Sequence, residues 1–426
     1  MHGNEDYVLP LIGMDEIMIY LVIIFLTCAF LLFVSLRFMK VGITSPVFLT
    51  LLSWSIMSFV GYLSYDSFDA FREESFYCLM IWIVITSFVY MSVENAQRIK
   101  SRVYVNYIPN RLCSRYSLFV IPACAITAYE IYKVGSGGPV NFLLNLRLAN
   151  IEDDYPYETF TFMPSFYPIV MAMFASICLF KSRLIDKISI FAWLVLFAIG
   201  TMGKFAVITP IMMFITIYEM KRGLSKKRLA VMVPVVLSLM LVMHFYRMSD
   251  GDSSSIAYVF GTYIYSPIIA FGHLIDSGIN WSGDYTLRFV HAIAFKSGLS
   301  GDEPVKTILD YAYVPTPTNV YTVMQPFYSD MGYYGVILGA IIYGVMLSAV
   351  YSMAKLGNLL MLAFYSILSI GIITEFLSET IITNISGNIK MLICMAIVFK
   401  FFTRRIPSKT GLPRDYQEVT KAGNVV

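Results

Sequence analysis

The sequence predicts an all-helical, polytopic integral membrane bundle of about eleven spans with two long outer loops, and three observations carry that prediction. Hydrophobic residues make up 58% of the 426 residues and charged residues only 14%, whereas a soluble domain carries roughly a quarter charged residues. Long uncharged runs recur, and Ile17–Leu36 alone has the roughly 20 residues needed to cross the hydrocarbon core as a helix. The loops between the runs alternate in charge. The runs lack the alternation of barrel strands, and helices are the other structure that satisfies its own backbone in lipid.

Apolar windows place spans at Ile17–Leu36, Ser45–Leu63, Phe76–Val93, Ser117–Tyr132, Met163–Phe180, Ile188–Met202, Phe205–Glu219 and Leu229–Phe245. Three more follow at Gly332–Met353, Leu359–Glu375 and Asn388–Phe402. The first run is too long for a cleavable signal peptide, and Arg37 and Lys40 follow it where a small-residue cleavage site would stand. It reads as the first span.

Lys and Arg accumulate in short cytoplasmic loops. Arg37 and Lys40, then Arg98, Lys100, Arg102, Arg111 and Arg115, form the first two basic loops. Lys181, Arg183 and Lys187, then Lys221, Arg222, Lys226, Lys227 and Arg228, form the next two, and Arg404, Arg405 and Lys409 open the tail. The intervening segments are acidic or neutral: Glu5, Asp6, Asp15 and Glu16 at the N-terminus with no Lys or Arg, and Asp66, Asp69, Glu73 and Glu74 against Arg72 in the second loop. The expected topology is therefore N-terminus outside, C-terminus inside, with an odd number of spans. The long outer loops run over 133–162 and 247–331, and the cytoplasmic tail over 403–426. In the second loop, Ile256–Leu274 is apolar but interrupted by Gly261 and Pro267, and reads as a broken helix at the interface or dipping into the membrane. No internal repeat is visible, so residues 1–426 form one membrane domain.

Six cysteines (Cys28, Cys78, Cys113, Cys124, Cys178, Cys394) lie in or beside apolar runs without CxxC spacing and read as packing residues. The four histidines are scattered, and no metal-ligand spacing, Walker loop or dinucleotide fingerprint is present, so neither a metal nor another cofactor is expected. An ATP-driven pump is disfavoured, and nothing points to nucleic acid.

Candidate chemistry is concentrated at the outer ends of helices. Lys204 stands between two short spans with no acidic neighbour in sequence. An ionisable group at membrane depth is costly and tends to be functional, although a lysine can also snorkel to the headgroups. Arg147, Arg247, Arg288 and His291 are further outer cations; together they could hold a diphosphate without metal, and singly each suits a loop ion pair. Pro315–Thr322 and Gln325–Gly332 are dense in hydroxyl, amide and aromatic groups, which suits sugar recognition. Asp330 fits a general base or a helix N-cap. Glu375 and Glu379 are spaced i,i+4 at the end of a span, a pairing that serves acid–base work or simply solvates a helix end.

Thr318-Asn319-Val320-Tyr321-Thr322, followed by Pro326-Phe327-Tyr328-Ser329-Asp330-Met331-Gly332 and Gly335, resembles the signature of Wzy-type O-antigen polymerases. That family is also similar in its helix number, its two large periplasmic loops and a basic residue in the hairpin where Lys204 stands. Many members have Arg there; Lys keeps the charge but loses the bidentate fork. The resemblance implies a GT-C-like, metal-independent glycosyltransferase of the bacterial inner membrane, acting on the periplasmic side for lipopolysaccharide biosynthesis. It joins oligosaccharide repeat units carried on undecaprenyl pyrophosphate, with membrane lipid, a flippase and a chain-length regulator as surroundings and partners.

On this reading Lys204, Arg147 and Arg247 take the pyrophosphate, Asn319, Tyr321 and Thr322 contact glycan, and His244, Asp330 and Glu375 are unranked candidates for the catalytic base. An O-antigen ligase shares the architecture, and the Thr318–Thr322 stretch favours polymerase over it. A lipid-linked oligosaccharide flippase or other transporter usually shows internal repeats around a midplane site, which this chain lacks.

Overall fold

The computed structural model describes residues 14–98, 111–113, 115–152, 155–223, 255–275, 278–279, 281, 283–306 and 309–405. The expected span Leu229–Phe245, with His244 and Arg247, lies outside the described residues.

The chain is mostly helical. In order come α1 (Met14–Val34), α2 (Pro46–Ser64), α3 (Glu73–Arg98), α4 (Ser117–Ser136), α5 (Phe142–Ile151), α6 (Met163–Leu179), α7 (Leu184–Thr201) and α8 (Lys204–Arg222). These are followed by α9 (Ile256–Ile264), α10 (Ser266–Ile275), α11 (Arg288–Lys296), α12 (Gln325–Lys355), α13 (Leu359–Ile373) and α14 (Ile385–Phe401). Among the described residues there are also four strands of two or three residues: β1 (Arg111–Cys113), β2 (Ala312–Tyr313), β3 (Pro317–Thr318) and β4 (Thr403–Arg405). Among the described residues six helices are long and apolar enough to cross a membrane, or up to seven when the bent pair α9–α10 counts as one span. The protein is thus a multi-pass helical membrane protein. Helices α6 and α13 are apolar but shorter.

Outward faces carry large apolar side chains such as Phe30, Phe88 and Phe191, each about two-thirds exposed, which only lipid would solvate favourably. The core is aromatic. Trp82 packs against Phe327 and Tyr343 between α3 and α12, and Trp193 packs against Phe119 and Phe166.

Basic segments meet at one end of the bundle. Strand β1 pairs antiparallel with β4, Leu112 opposite Arg404, and Cys113 N donates to Lys181 O at 2.8 Å. Lys221 Nζ donates to the carbonyls of Leu179 (2.9 Å) and Cys178 (3.4 Å), so a cation caps the negative C-terminus of α6. Asp186 caps the opposite pole of a neighbour, accepting from Ser117 N at the start of α4 (2.8 Å).

At the other end Glu130 accepts from the N–H groups of Thr161, Phe162 and Met163 at 2.7–2.9 Å and seats the start of α6. The first long loop is not structureless: Asn141 caps α5, and Asn145, buried, donates to Gly135 O and Val140 O. The expected break in Ile256–Leu274 is present as a 45° bend between α9 and α10. It falls at Tyr265, just ahead of Pro267, where proline disfavours continued helix; Gly261 lies inside α9 and does not interrupt it.

The ninth expected span starts earlier than Gly332. Helix α12 begins at Gln325 and is interrupted at Gly332, whose φ of 57° and ψ of −141° suit glycine alone. The backbone thereby brings Phe327 O so close to Gly335 that a Cβ there would stand 1.9 Å from it. Both glycines of the motif are explained by this one fold-back.

Candidate functional site

The long segment between α10 and α12 and the stretch after α13 enclose a cavity of about 480 Å³. One wall is the segment after β3, with Asn319, Val320, Tyr321, Thr322 and Gln325. The opposite wall is Ser378–Ser386, which contributes Ser378, Glu379, Thr380, Thr383, Asn384 and Ser386. Tyr285, Arg288, Val305, Lys306 and Leu309 close it from the segment that precedes β2. Two cations, one carboxylate and a row of hydroxyls and amides therefore face one space, with a volume in the range of small-molecule sites.

Three anchors hold these walls. Thr322 N donates to Leu377 O (3.0 Å) and Val323 N to Glu375 O (2.8 Å), joining the loop to the end of α13. Thr322 has φ 63°, a strained conformation for a β-branched residue, and its Oγ1 accepts from Met324 N (3.3 Å). Strain of this kind clusters at functional positions. Tyr321 donates its phenol proton to Asp310 O at 2.7 Å. Burial first, then Asp310 and Tyr285, raises its phenol above the usual tyrosine range; burial, followed by Asp330, does the same for Tyr285. Both remain neutral.

Asp330 has no exposed surface, and its carboxylate accepts from Tyr285 N (3.1 Å), Thr286 N (2.7 Å) and Thr286 Oγ1 (2.6 Å). It does not cap α12; it fixes the turn that leads into α11 and so the base of Arg288. Arg288 Nε in turn donates to Val305 O at 2.7 Å, tying α11 to the segment that carries Lys306. Replacing Asp330 by Asn turns half of this acceptor into a donor, aimed either at the Tyr285 N–H or at the Thr286 N–H and hydroxyl. The expected result is easier proteolysis of 285–306 and an activity loss of about tenfold or more, with the melting of the helical bundle nearly unchanged. Wild-type protease resistance in the Asn variant would refute the anchoring role.

The pairing expected of Glu375 and Glu379 on one helix face is corrected by the structure. Helix α13 ends at Ile373, and the chain then passes through turns at 374–377 that bring Ser378 to pair with Thr322; an i,i+4 face requires a helix that has already stopped. Glu375, with no exposed surface, turns inward and accepts from Thr50 Oγ1 (2.9 Å), Trp54 Nε1 (3.0 Å) and Trp82 Nε1 (3.1 Å). Glu379 reaches the cavity and accepts from the N–H groups of Ile381 (2.7 Å), Ile382 (2.7 Å) and Thr383 (2.5 Å), and from the Tyr343 hydroxyl.

Of the sequence-predicted residues, Asn319, Tyr321 and Thr322 share the cavity. Asp330 and Glu375 stand behind its walls, reaching it through Tyr285 and Val323. Lys204 and Arg147 are not in its lining. The elements that carry them meet in a second cluster, where Asn150 on α5 donates to Gly200 O (3.1 Å) just ahead of the Lys204 hairpin. There Lys204 Nζ sits over the Tyr263 ring, 2.8 Å from its centroid. The bent pair links this cluster to the start of α12, because Tyr263 is on α9 while Phe271 on α10 meets Tyr328 edge-on. Lys306 escaped sequence reasoning, and Arg288 entered it only as one of several outer cations. A lone Lys in a loop gives no periodic or spacing signal.

No family model matches the chain, and no solved structure matches it. At 24% identity over 322 residues, which span 72% of this chain and 78% of the relative, the sequence is similar to a protein of Escherichia coli (strain K12) named "Putative O-antigen polymerase".

Proposed function

We propose that this chain polymerises lipid-linked oligosaccharide repeat units on the periplasmic side of a bacterial inner membrane. The observation that carries the reading is the cavity where Arg288, Lys306 and Glu379 face the hydroxyls and amides of Asn319–Thr322 and Ser378–Asn384. Similarity to the Escherichia coli protein supports it. In this reading residues 1–426 are one GT-C-like membrane domain of eleven spans, N-terminus periplasmic and C-terminus cytoplasmic. The contacts of β1, β4, Lys181 and Lys221 support the sidedness by gathering the basic segments at one end.

The donor glycan rides on undecaprenyl pyrophosphate, which is already a good leaving group. An acceptor hydroxyl attacks the anomeric carbon, the bond from that carbon to the pyrophosphate oxygen breaks, and the acceptor proton passes to a base. The protein's task is to orient the two sugars and to neutralise charge growing on the departing diphosphate. Arg288 and Lys306 supply that charge at the cavity, Lys204 and Arg147 supply it at the second cluster, and Arg247 lies outside the described residues. Asn319, Tyr321 and Thr322 meet the glycan. Glu379 is the carboxylate facing the acceptor, Asp330 and Glu375 hold the walls, and His244, also outside the described residues, remains a base in this scheme. A flippase delivers the units and a chain-length regulator sets the end point. No metal or other cofactor enters the scheme.

Deleting the gene in a strain whose glycan is ligated to lipid A core tests the function. The expected surface lipopolysaccharide carries a single repeat unit, because flipping and ligation continue without polymerisation. Bare core with long chains left on the lipid carrier would instead assign the protein to ligation, and bare core with units stranded inside would assign it to transport. Sidedness is tested by cysteine labelling from outside on a background lacking the native cysteines. Asp302→Cys is expected to label in intact spheroplasts and Arg111→Cys only after permeabilisation; the reverse pattern would invert the topology.

A further inference from the structure

A groove of about 570 Å³ runs between α6, α7 and α8 at the basic end of the bundle, remote in sequence from the cavity and used by no step above. Its floor is apolar, with Ile188, Phe191 and Phe214 exposed by 59%, 66% and 41% along facing sides of α7 and α8. One mouth is cationic: Lys187, Lys221 and Arg222 line it, and among the described lining residues none is acidic. The nearby carboxylates are turned away. Asp186 is buried against Ser117 N, and Glu219 lies towards Gly42.

These cations differ in what they have left to give. Lys221 spends its protons on the last carbonyls of α6. Lys187 is exposed, and the Arg222 guanidinium stands over the Tyr218 ring, 5.9 Å from its centroid, which holds it near the mouth while its N–H groups stay available. An apolar trough that ends in two available cations and a capped third has the charge pattern of a lipid whose headgroup is a phosphate without a compensating ammonium. Water would solvate the mouth but not the trough, and a free anion would use the mouth but not the trough.

We propose that this groove binds an acidic glycerophospholipid of the leaflet at the basic end, its phosphate at Lys187 and Arg222 and an acyl chain along Ile188, Phe191 and Phe214. That this leaflet is the cytoplasmic one rests on the sidedness proposed above; the binding itself does not.

Purified full-length protein in mild detergent, titrated with phosphatidylglycerol or with phosphatidylcholine of the same acyl chains, tests the site by counting bound lipid in native mass spectra. Wild type is expected to retain phosphatidylglycerol preferentially, and the Lys187→Gln/Arg222→Gln protein to lose about tenfold of that preference. The control Lys181→Gln/Arg183→Gln protein, with the same change in net charge but outside the groove lining, is expected to keep it. Millimolar inorganic phosphate is expected not to displace the lipid, because it lacks the chain that occupies the trough. Equal retention of both lipids by wild type, equal losses in the two double variants, or displacement by phosphate would each overturn the proposal. If the double variant does not fold, the single Lys187→Gln and Arg222→Gln proteins are read instead, each with a loss of a few-fold, and an unchanged preference in both would overturn it. The measurement uses neither glycan nor activity, so its failure is separate from failure of the polymerase reading.

Discussion

Replacing Glu375 by alanine is expected to destabilise the protein by about 4 kcal/mol, since three buried donors lose their shared acceptor and each orphan costs about 1–3 kcal/mol. The donors are the Thr50 hydroxyl on α2 and the indoles of Trp54 on α2 and Trp82 on α3. An indole N–H cannot rotate towards another partner as a hydroxyl can, and lipid offers none. The loss is a large share of the roughly 5–15 kcal/mol that keeps a protein folded. The site lies next to the cavity wall, because the backbone carbonyl of Glu375, which alanine keeps, holds Val323 beside Thr322. Fluorescence-detected size exclusion after graded heating measures it: the Ala variant should lose its monodisperse peak well below wild type, with Glu375→Gln in between. An unchanged melting profile for the Ala variant would mean that the carboxylate is no structural hub.

Lys204→Ala is expected to reduce glycan polymerisation about a hundredfold, the scale of a lost charge-assisted contact of a few kcal/mol. Lys204→Arg should keep part of the activity, as a guanidinium can also lie over the Tyr263 ring and carry the charge. The lengths of glycan chains on gels, at matched expression, report both. A merely packing role predicts that Lys204→Met serves as well as Arg, so wild-type ladders from the Met variant would exclude a part in pyrophosphate binding.

Several spans were legible because lipid imposes a composition that survives without any knowledge of packing: α2, α3, α4 and α7 fall within a few residues of their apolar windows. The break ahead of Pro267 was legible for a similar reason, since it follows from local backbone chemistry. The motif from Thr318 to Gly335 was legible as a dense polar and aromatic stretch, and five of its residues do line the cavity: Asn319, Val320, Tyr321, Thr322 and Gln325. The fold-back at Gly332 was not, because glycine signals freedom without saying which conformation is used.

The least legible feature was the division of labour among carboxylates. Sequence spacing put Glu375 and Glu379 on a common face, but tertiary donors decided their directions. Two tryptophans on other helices drew Glu375 inward, and the N–H groups of 381–383 drew Glu379 to the cavity wall. Asp330 was similarly claimed by a segment some 45 residues away in sequence, Tyr285–Thr286. Such long-range pairings leave no periodic trace in a single sequence.

The pairing of β1 with β4 has a mechanical consequence. Main-chain hydrogen bonds between Arg111–Cys113 and Thr403–Arg405, together with the Lys221 clamp on α6, fasten one rim of the bundle across segments far apart in the chain. Helices pinned at one rim cannot slide lengthwise without breaking those bonds; they can only splay, like staves hooped at a single end. The opposite rim is where α12 is interrupted at Gly332 and the α9–α10 rod is creased at Tyr265. Any widening that admits a bulky substrate should therefore swing about the fastened rim, and spin labels placed at the two ends should move apart at the creased end alone.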